Sequence, residues 1–414
     1  MDLLRFFTAG NVDDGKSTLI GRLLFDSNSI STDIVETLTR QSKTKGVDTG
    51  IDLALLTDGL RAEREQGITI DVAYKYFSTN KRKFIIADTP GHIQYTRNMV
   101  TGASNADLAI VLIDARNGIT EQTKRHTILS QFIGIPHLLV CINKMDLVGY
   151  SEEVYNNIVI DFNEFAKNLN LKAISFIPVS ALAGDNVVSK SARLQWYTGK
   201  PLLQFLEEIP LQTSTETTAA RFQVQYIIRP QTHNLPDYRG YAGKIQSGQY
   251  RKGDKVIVLP SNIETEIIKI EKHQKEVSEA SENEPVVIHL KDDVDVSRGN
   301  SFVKPDQLPG FDKELEATLC WMDLTEAAIG QKYILQQNSF QTRVLLKDIR
   351  SKVDIHTNEK IKHVGTLKLN EIADVKLKTA EYLAYDNYKT NRSTGSFILI
   401  NENTYTTVAA GIVN

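Results

Sequence analysis

Little in this chain points toward a membrane, a disulfide framework or a nucleic-acid field. Cys141 and Cys320 are the only cysteines in 414 residues, and they lie far apart inside apolar runs. That argues against a disulfide-stapled domain or a thiolate metal cluster, and predicts buried free thiols in a reducing compartment. No apolar run reaches the roughly 18 residues a membrane span requires. The start, Met1-Asp2-Leu3-Leu4-Arg5, lacks the basic start, apolar core and cleavage site of a secretory leader, so a cytoplasmic protein with no membrane partner is expected. An excess of one charge sign is missing too, with 48 basic residues against 51 acidic ones and a net charge of −3. Without a global basic field, nucleic acid is not an expected partner. Low-complexity tracts are absent, and at ~100–200 residues per domain the length predicts two or three domains.

What is present begins at Gly10-Asn11-Val12-Asp13-Asp14-Gly15-Lys16-Ser17, which meets the glycine-rich phosphate-loop pattern at Gly10, Gly15, Lys16 and Ser17. Leu3 to Ala9 reads as a strand before it, and Ser17 to Asp26 as a helix after it, with Leu19, Ile20, Leu23 and Leu24 available for burial. In that context the backbone N–H groups of Asn11 to Thr18 and the helix N-terminus face phosphates. Lys16 adds a point charge, and the Ser17 hydroxyl is a candidate Mg²⁺ ligand. A nucleoside triphosphate is the first ligand to consider.

Alternating strands and amphipathic helices up to about residue 210 predict a doubly wound, mostly parallel α/β domain. Its clearest strands, Lys83 to Ala87, Leu108 to Asp114, His137 to Asn143 and Ser175 to Ser180, each end in residues able to do chemistry. Ligands of open α/β sheets bind beyond such ends. Asp88 is placed to hold Mg²⁺ through water, Gly91 to bring its N–H close to a terminal phosphate, and His92 to orient an attacking water. Lys16, Gly91 and His92 are therefore the candidate catalytic residues. In Asn143-Lys144-Met145-Asp146 the carboxylate can accept two N–H bonds from a purine with a 2-amino group, which selects GTP over ATP. Ser180-Ala181-Leu182 can aim backbone donors at the base O6. A long polar insertion, 27–71, interrupts the pattern. Its charged stretch Arg61 to Glu65 reads equally well as a solvated helix.

Beyond the linker Ile209 to Thr215, short alternating strands with turn signals predict two antiparallel β-barrels. Arg221 to Ile228 and Lys255 to Leu259 belong to the first. Leu315 to Trp321, Tyr333 to Leu335, Arg343 to Ile349 and Asp374 to Leu377 belong to the second. The expected domains are 1–212, 213–308 and 309–414.

The ordered set Gly10 to Ser17, Gly67 to Asp71, Asp88 to His92, Asn143 to Asp146 and Ser180 to Leu182 resembles a translation-factor-type GTPase followed by two barrels. Within that class the chain most resembles the large, GTPase subunit of bacterial sulfate adenylyltransferase (ATP sulfurylase). The residues that carry this are Val12 to Leu24, Ala62 to Tyr74, Gln94 to Met99, Trp196-Tyr197 and Arg239 to Gly243. The resemblance covers essentially the whole chain. It implies GTP and GDP as ligands, and a separate small catalytic subunit that binds ATP and sulfate, in a heterodimer or larger heteromer. It further implies that Thr69 joins Ser17 on Mg²⁺ while the γ-phosphate is present, within a first switch at 42–71. Gly91 would open a second switch at 88 to about 104, and His92 would position water. Val12 and Ile68 match the apolar pair that gates such a histidine, although packing accounts for either one. Asn11 and Ile93 depart from the family's usual residues at their positions. A fused adenylylsulfate kinase is not expected, because no second phosphate loop is present.

Two other readings share the pattern. A carrier of aminoacyl-tRNA resembling an elongation factor uses the same plan, but Asp13-Asp14, Thr96 to Met99 and Arg239-Gly240-Tyr241 favour the sulfurylase subunit. A scaffold without hydrolysis is disfavoured by the intact Lys16, Ser17, Thr69, Asp88 and His92.

Overall fold

The structure is a computed structural model, and it describes residues 2–30, 53, 63, 69–169, 171, 173–211, 218–230 and 238–414. Most of the insertion, including Ile68 and all of Arg61 to Glu65 except Glu63, lies outside the described residues. The chain forms two compact units, Met1–Thr213 with Asp354–Glu359, and Ser214–Val353 with Lys360–Asn414.

The first unit is built on a six-stranded sheet of order β2-β3-β1-β4-β5-β6. Its strands are β1 (Asp2–Ala9), β2 (Ala73–Ser78), β3 (Arg82–Asp88), β4 (Leu108–Asp114), β5 (His137–Asn143) and β6 (Ile174–Pro178). Only β2 runs antiparallel to its neighbour. The run Leu-Ala-Ile-Val-Leu-Ile-Asp makes β4 buried along its whole length, as a central parallel strand covered on both faces must be. Helix α1 (Lys16–Asp26) buries Leu19, Ile20, Leu23 and Leu24 on one face, at helical spacing. Helix α2 (Thr96–Ala103) follows β3, and α3 (Glu121–Phe132) is started by a capping box between Thr120 and Thr123. Ser151 caps α4 (Glu152–Ala166), whose first turn carries Glu152 and Glu153 beside the positive end of the helix dipole. Helix α5 (Leu202–Glu208) packs Leu202 and Leu206 into the core with Leu4, Phe84 and Leu112.

Parallel pairing brings the carboxyl ends of β1, β3, β4 and β5 to one edge. Thr8 lies opposite Asp88, and Asp114 opposite Asn143. The expected strand Ser175 to Ser180 ends earlier, at Pro178. Ser180 is drawn out of the sheet because its N–H donates to the Asp185 carbonyl and its hydroxyl to Asp146.

The second unit holds two closed six-strand antiparallel barrels. In the first, Lys255–Leu259, Ser301–Val303, Arg221–Gln223, Gly240–Ser247, Pro285–Leu290 and Ile263–Lys272 pair in turn, and the last closes on the first. The expected continuous strand from Arg221 to Ile228 is two strands, Arg221–Gln223 and Tyr226–Ile228. Between them Val224 N–H turns to the Asn300 carbonyl and Gln225 N–H to Ala242. In the second barrel Lys332–Gln337, Ser396–Ile400, Thr407–Val413, Gly310–Trp321, Ile372–Tyr385 and Phe340–Val353 close the same way. Each barrel has its own core, around Phe222, Tyr250 and Phe302 in one and around Leu319, Trp321 and Leu377 in the other. Both cysteines are buried. Among the described residues no helix is long and apolar enough to cross a membrane.

Candidate functional site

The loop between β1 and α1 owes its shape to Gly15. This residue sits at φ 90°, and a Cβ there would fall 2.5 Å from Asn143 Nδ2. Only glycine accepts both constraints. Asn143 Nδ2 donates to the Asp14 carbonyl at 2.8 Å, and the Asp14 carboxylate accepts the Asn11 N–H at 2.6 Å, so the loop is held from inside and from β5. Burial pushes the Asp14 carboxyl up to about 6, against the lowering effect of the Asn11 bond and of Lys16. Lys16 is itself buried and donates Nζ to the Gly10 and Asn11 carbonyls at 3.1 and 2.8 Å. Burial lowers its pKa, while Asp88, Asp14 and Asp13 favour the charged form. Its charge also reaches His126 on α3. Burial first, then Lys16 and Arg125, lower that imidazole to about 3.

At the end of β5 one amide joins two loops, because Asn143 Oδ1 accepts the Ala181 N–H at 2.9 Å while its Nδ2 holds Asp14. Lys144 Nζ donates to the Asp13 carbonyl at 2.5 Å and pairs with Asp114 at 3.0 Å. Asp146 accepts the Ser180 hydroxyl at 2.6 Å. Asn143, Lys144, Asp146, Ser180 and Ala181 are thus one connected group, tied to the loop that carries Asp13, Asp14, Gly15 and Lys16. Leu182 exposes its side chain to solvent and contributes its carbonyl, which accepts Arg22 Nη2 at 2.6 Å.

At the opposite end of the loop, Asp88 is buried and accepts the Thr8 hydroxyl at 3.2 Å, while the Thr89 hydroxyl donates to the Thr8 carbonyl at 2.6 Å. Gly91 approaches so closely that a Cβ would collide with Lys16 Nζ and lie 2.6 Å from the Gly10 carbonyl. His92 is partly exposed and caps the short 3₁₀ turn Ile93–Tyr95 through its Nδ1, with its ring 5.9 Å from that of Tyr95. Ser17 and Thr18 lie in the first turn of α1, and Val12 and Asp13 at the crest of the loop. Thr69 lies in the irregular segment just before β2. There the Ile70 and Asp71 N–H groups donate to Glu63, and the Ile70 carbonyl accepts Asn98 Nδ2.

Several contributors carried no motif signal. Arg22 on α1 donates to both the Ala181 and Leu182 carbonyls and pairs with Asp26, fastening the loop at Ser180 to Leu182 to α1. Asp114 is gripped by Arg116 at 2.6 and 3.0 Å and by Lys144. Although desolvation opposes it, this holds its carboxyl well below the usual carboxylate range. Thr8 was hidden because a strand threonine is ordinary. Only the β1 to β3 register sets it opposite Asp88.

Comparison with known proteins adds an independent line. The family model described as the elongation factor Tu GTP binding domain matches residues 1–214, and that described as GTP-eEF1A C-terminal domain-like matches 314–414. Sulfate adenylyltransferase subunit 1 of Bacteroides fragilis is 51% identical over 413 residues, covering 100% of this chain and 86% of that protein. The protein of the same name from Psychromonas ingrahamii is 48% identical, covering 100% of this chain and 87% of its own. The bifunctional enzyme CysN/CysC of Mycobacterium tuberculosis is 49% identical over 99% of this chain and 67% of that protein.

Proposed function

Because the chain belongs to the sulfate adenylyltransferase subunit 1 family, built on the GTP-binding domain of the elongation factor Tu type, we propose that it is the GTP-hydrolysing subunit of that enzyme. A partner, the small catalytic subunit that binds ATP and sulfate, converts them to adenosine 5′-phosphosulfate and pyrophosphate. This chain converts GTP and water to GDP and phosphate. Forming a phosphate–sulfate anhydride is uphill, so a second hydrolysis acting through a conformational cycle supplies the drive. The pair is a heterodimer or a larger heteromer. It works in the cytoplasm, where both triphosphates are available.

The observation that carries the guanine assignment is the Asp146 carboxylate, held by Ser180 beside a loop that Asn143 ties to the phosphate cradle. Asp146 reads the 2-amino group, the loop amides from Asp13 to Thr18 and Lys16 bind the phosphates, and Ala181 and Leu182 border the base. Gly91 meets the terminal phosphate, and His92 orients the attacking water. Tyr95 flanks the His92 ring, and the Gln94 N–H anchors Nδ1, so Nε2 is the nitrogen available for that water.

The donor set suits Mg²⁺. Asp88 is a buried carboxylate oriented by Thr8, Ser17 offers a hydroxyl in the first turn of α1, and both are hard oxygen donors. Mg²⁺ keeps several waters and is bound through few protein oxygens together with substrate phosphates. Ser17 and Thr69 would hold it directly and Asp88 through water. When bound, it neutralises charge on the phosphates.

The aminoacyl-tRNA carrier reading is set aside, since the relatives that match the whole chain at about half identity are named as sulfate adenylyltransferase subunits. The test is recovery of the untagged chain from its host with its bound partner. Adenosine phosphosulfate formation from ATP and sulfate should accelerate when GTP is added. Formation indifferent to GTP, or recovery with tRNA in place of a sulfate-activating chain, would overturn the assignment.

A further inference from the structure

The base-reading side of the site comes from two chain segments, the turn 145–150 that carries Asp146 and the loop 180–186 that carries Ser180. Besides Ser180 and Asp146 themselves, a second side-chain pair bridges them. Tyr150 OH donates to Asp185 Oδ2 at 2.7 Å, and Ser191 Oγ donates to the other carboxylate oxygen at 2.6 Å. Arg193 lies over the Tyr150 ring, donates to its hydroxyl at 2.9 Å and reaches Asp185 at 3.4 Å.

We propose that Tyr150 and Asp185 form a latch that sets Asp146 against Ser180 in the geometry that reads the guanine 2-amino group. They are positioning residues for nucleotide selectivity, and this role rests on the assignment of Asp146 to the base.

Three features support the latch. Asp185 is paired with Ser180 through the backbone, since the Ser180 N–H donates to the Asp185 carbonyl at 3.1 Å, so moving one moves the other. Tyr150 adopts φ 57°, which is costly for a bulky residue and persists only where the surroundings enforce it. The enforcement is visible, because its N–H donates to the Met145 carbonyl at 2.8 Å and its carbonyl accepts Trp196 Nε1 at 2.9 Å. Lastly, burial and the Asp185 acceptor raise the phenol pKa, in keeping with a hydroxyl held as a donor to that carboxylate.

Inosine triphosphate differs from GTP only in lacking the 2-amino group. The ratio of the two affinities therefore reports the Asp146 contact and is blind to general loss of stability. Fluorescent-nucleotide displacement on the full chain would give this ratio, and thermal melting would be recorded on the same samples. Tyr150→Phe and Asp185→Asn should each lower the GTP-to-ITP ratio by roughly 3–10-fold, the worth of one misplaced hydrogen bond. Ser191→Ala should move it the same way by less, and it carries the test with Asp185→Asn if Tyr150→Phe fails to fold. Asp146→Asn should abolish the preference. A wild-type ratio in Tyr150→Phe and Asp185→Asn, with the preference lost in Asp146→Asn, overturns the latch even if melting temperatures fall. A preference retained in Asp146→Asn overturns the base assignment, and the latch with it.

Discussion

Asn143 donates its side-chain N–H to the Asp14 carbonyl at 2.8 Å while its oxygen accepts the Ala181 N–H at 2.9 Å. The amide is buried and belongs to neither loop, yet it sets the spacing between the Gly10–Ser17 loop and the loop at Ser180 to Leu182. Asn143→Ala removes two buried hydrogen bonds and strands both partners. It should cost roughly 2–4 kcal/mol of stability and weaken GTP and GDP alike by more than about tenfold. Calorimetric titration with each nucleotide, beside urea unfolding, checks this. Unchanged affinities would show that the loops keep their spacing without the amide.

Gly91 lies against the phosphate loop with no room for a Cβ. The Lys16 side chain could swing away from a methyl group, but the Gly10 carbonyl is backbone and could move only with the loop. Gly91→Ala should therefore slow single-turnover GTP hydrolysis by about tenfold or more, roughly 1.4 kcal/mol of barrier, and should weaken GTP more than GDP. Equal losses for both nucleotides would place the effect on the loop alone and detach Gly91 from the terminal phosphate.

His92 caps its own 3₁₀ turn weakly and is partly exposed, so truncation should leave the fold intact. His92→Ala is expected to keep GTP affinity near that of the parent and to cut turnover by roughly 10²–10⁴, the scale of a group that orients a proton transfer. Steady-state hydrolysis with separately measured binding decides it. Near-normal turnover would remove His92 from the mechanism.

Stability should depend on pH through two buried groups of opposite sign. His126 titrates at about 3 when folded, against 6.5 ordinarily, so below 6.5 the unfolded chain takes up a proton the folded one refuses. Its contribution is present above 6.5 and is lost as pH falls toward 3. Asp14, raised to about 6 from 3.8, contributes stability that is present below 3.8 and lost as pH rises through 6. His126→Gln should flatten the acid limb below pH 6.5, and Asp14→Asn should steepen it between about 4 and 6. Urea unfolding at half-unit pH steps reads both slopes, and an unaltered acid limb in His126→Gln would assign acid sensitivity to other groups.

The fold class was legible because its signals are local and periodic. The apolar run of β4, the helical spacing of Leu19, Ile20, Leu23 and Leu24, and the short alternating strands after residue 218 each announce their own surroundings. Errors fell where a tertiary partner overrode a local pattern. Ser180 leaves its strand for Asp185 and Asp146, and the alternation of Arg221 to Ile228 breaks where Val224 and Gln225 turn to different strands.

The sequence by itself determined the kinds of chemistry gathered here: a glycine loop with Lys16 and Ser17, a strand-end Asp88 with Gly91 and His92, and an Asn143 to Asp146 turn. Each motif is contiguous, so its spacing survives without coordinates. Only the tertiary structure decided how they are held. Thr8 meets Asp88 across 80 residues, Arg22 meets Leu182 across 160, and Tyr150 meets Asp185 across 35. These are common residue types with no fixed spacing. They become visible only when strand register and loop closure bring their polar atoms within about 3 Å, where a hydrogen bond depends on distance and angle and not on order along the chain.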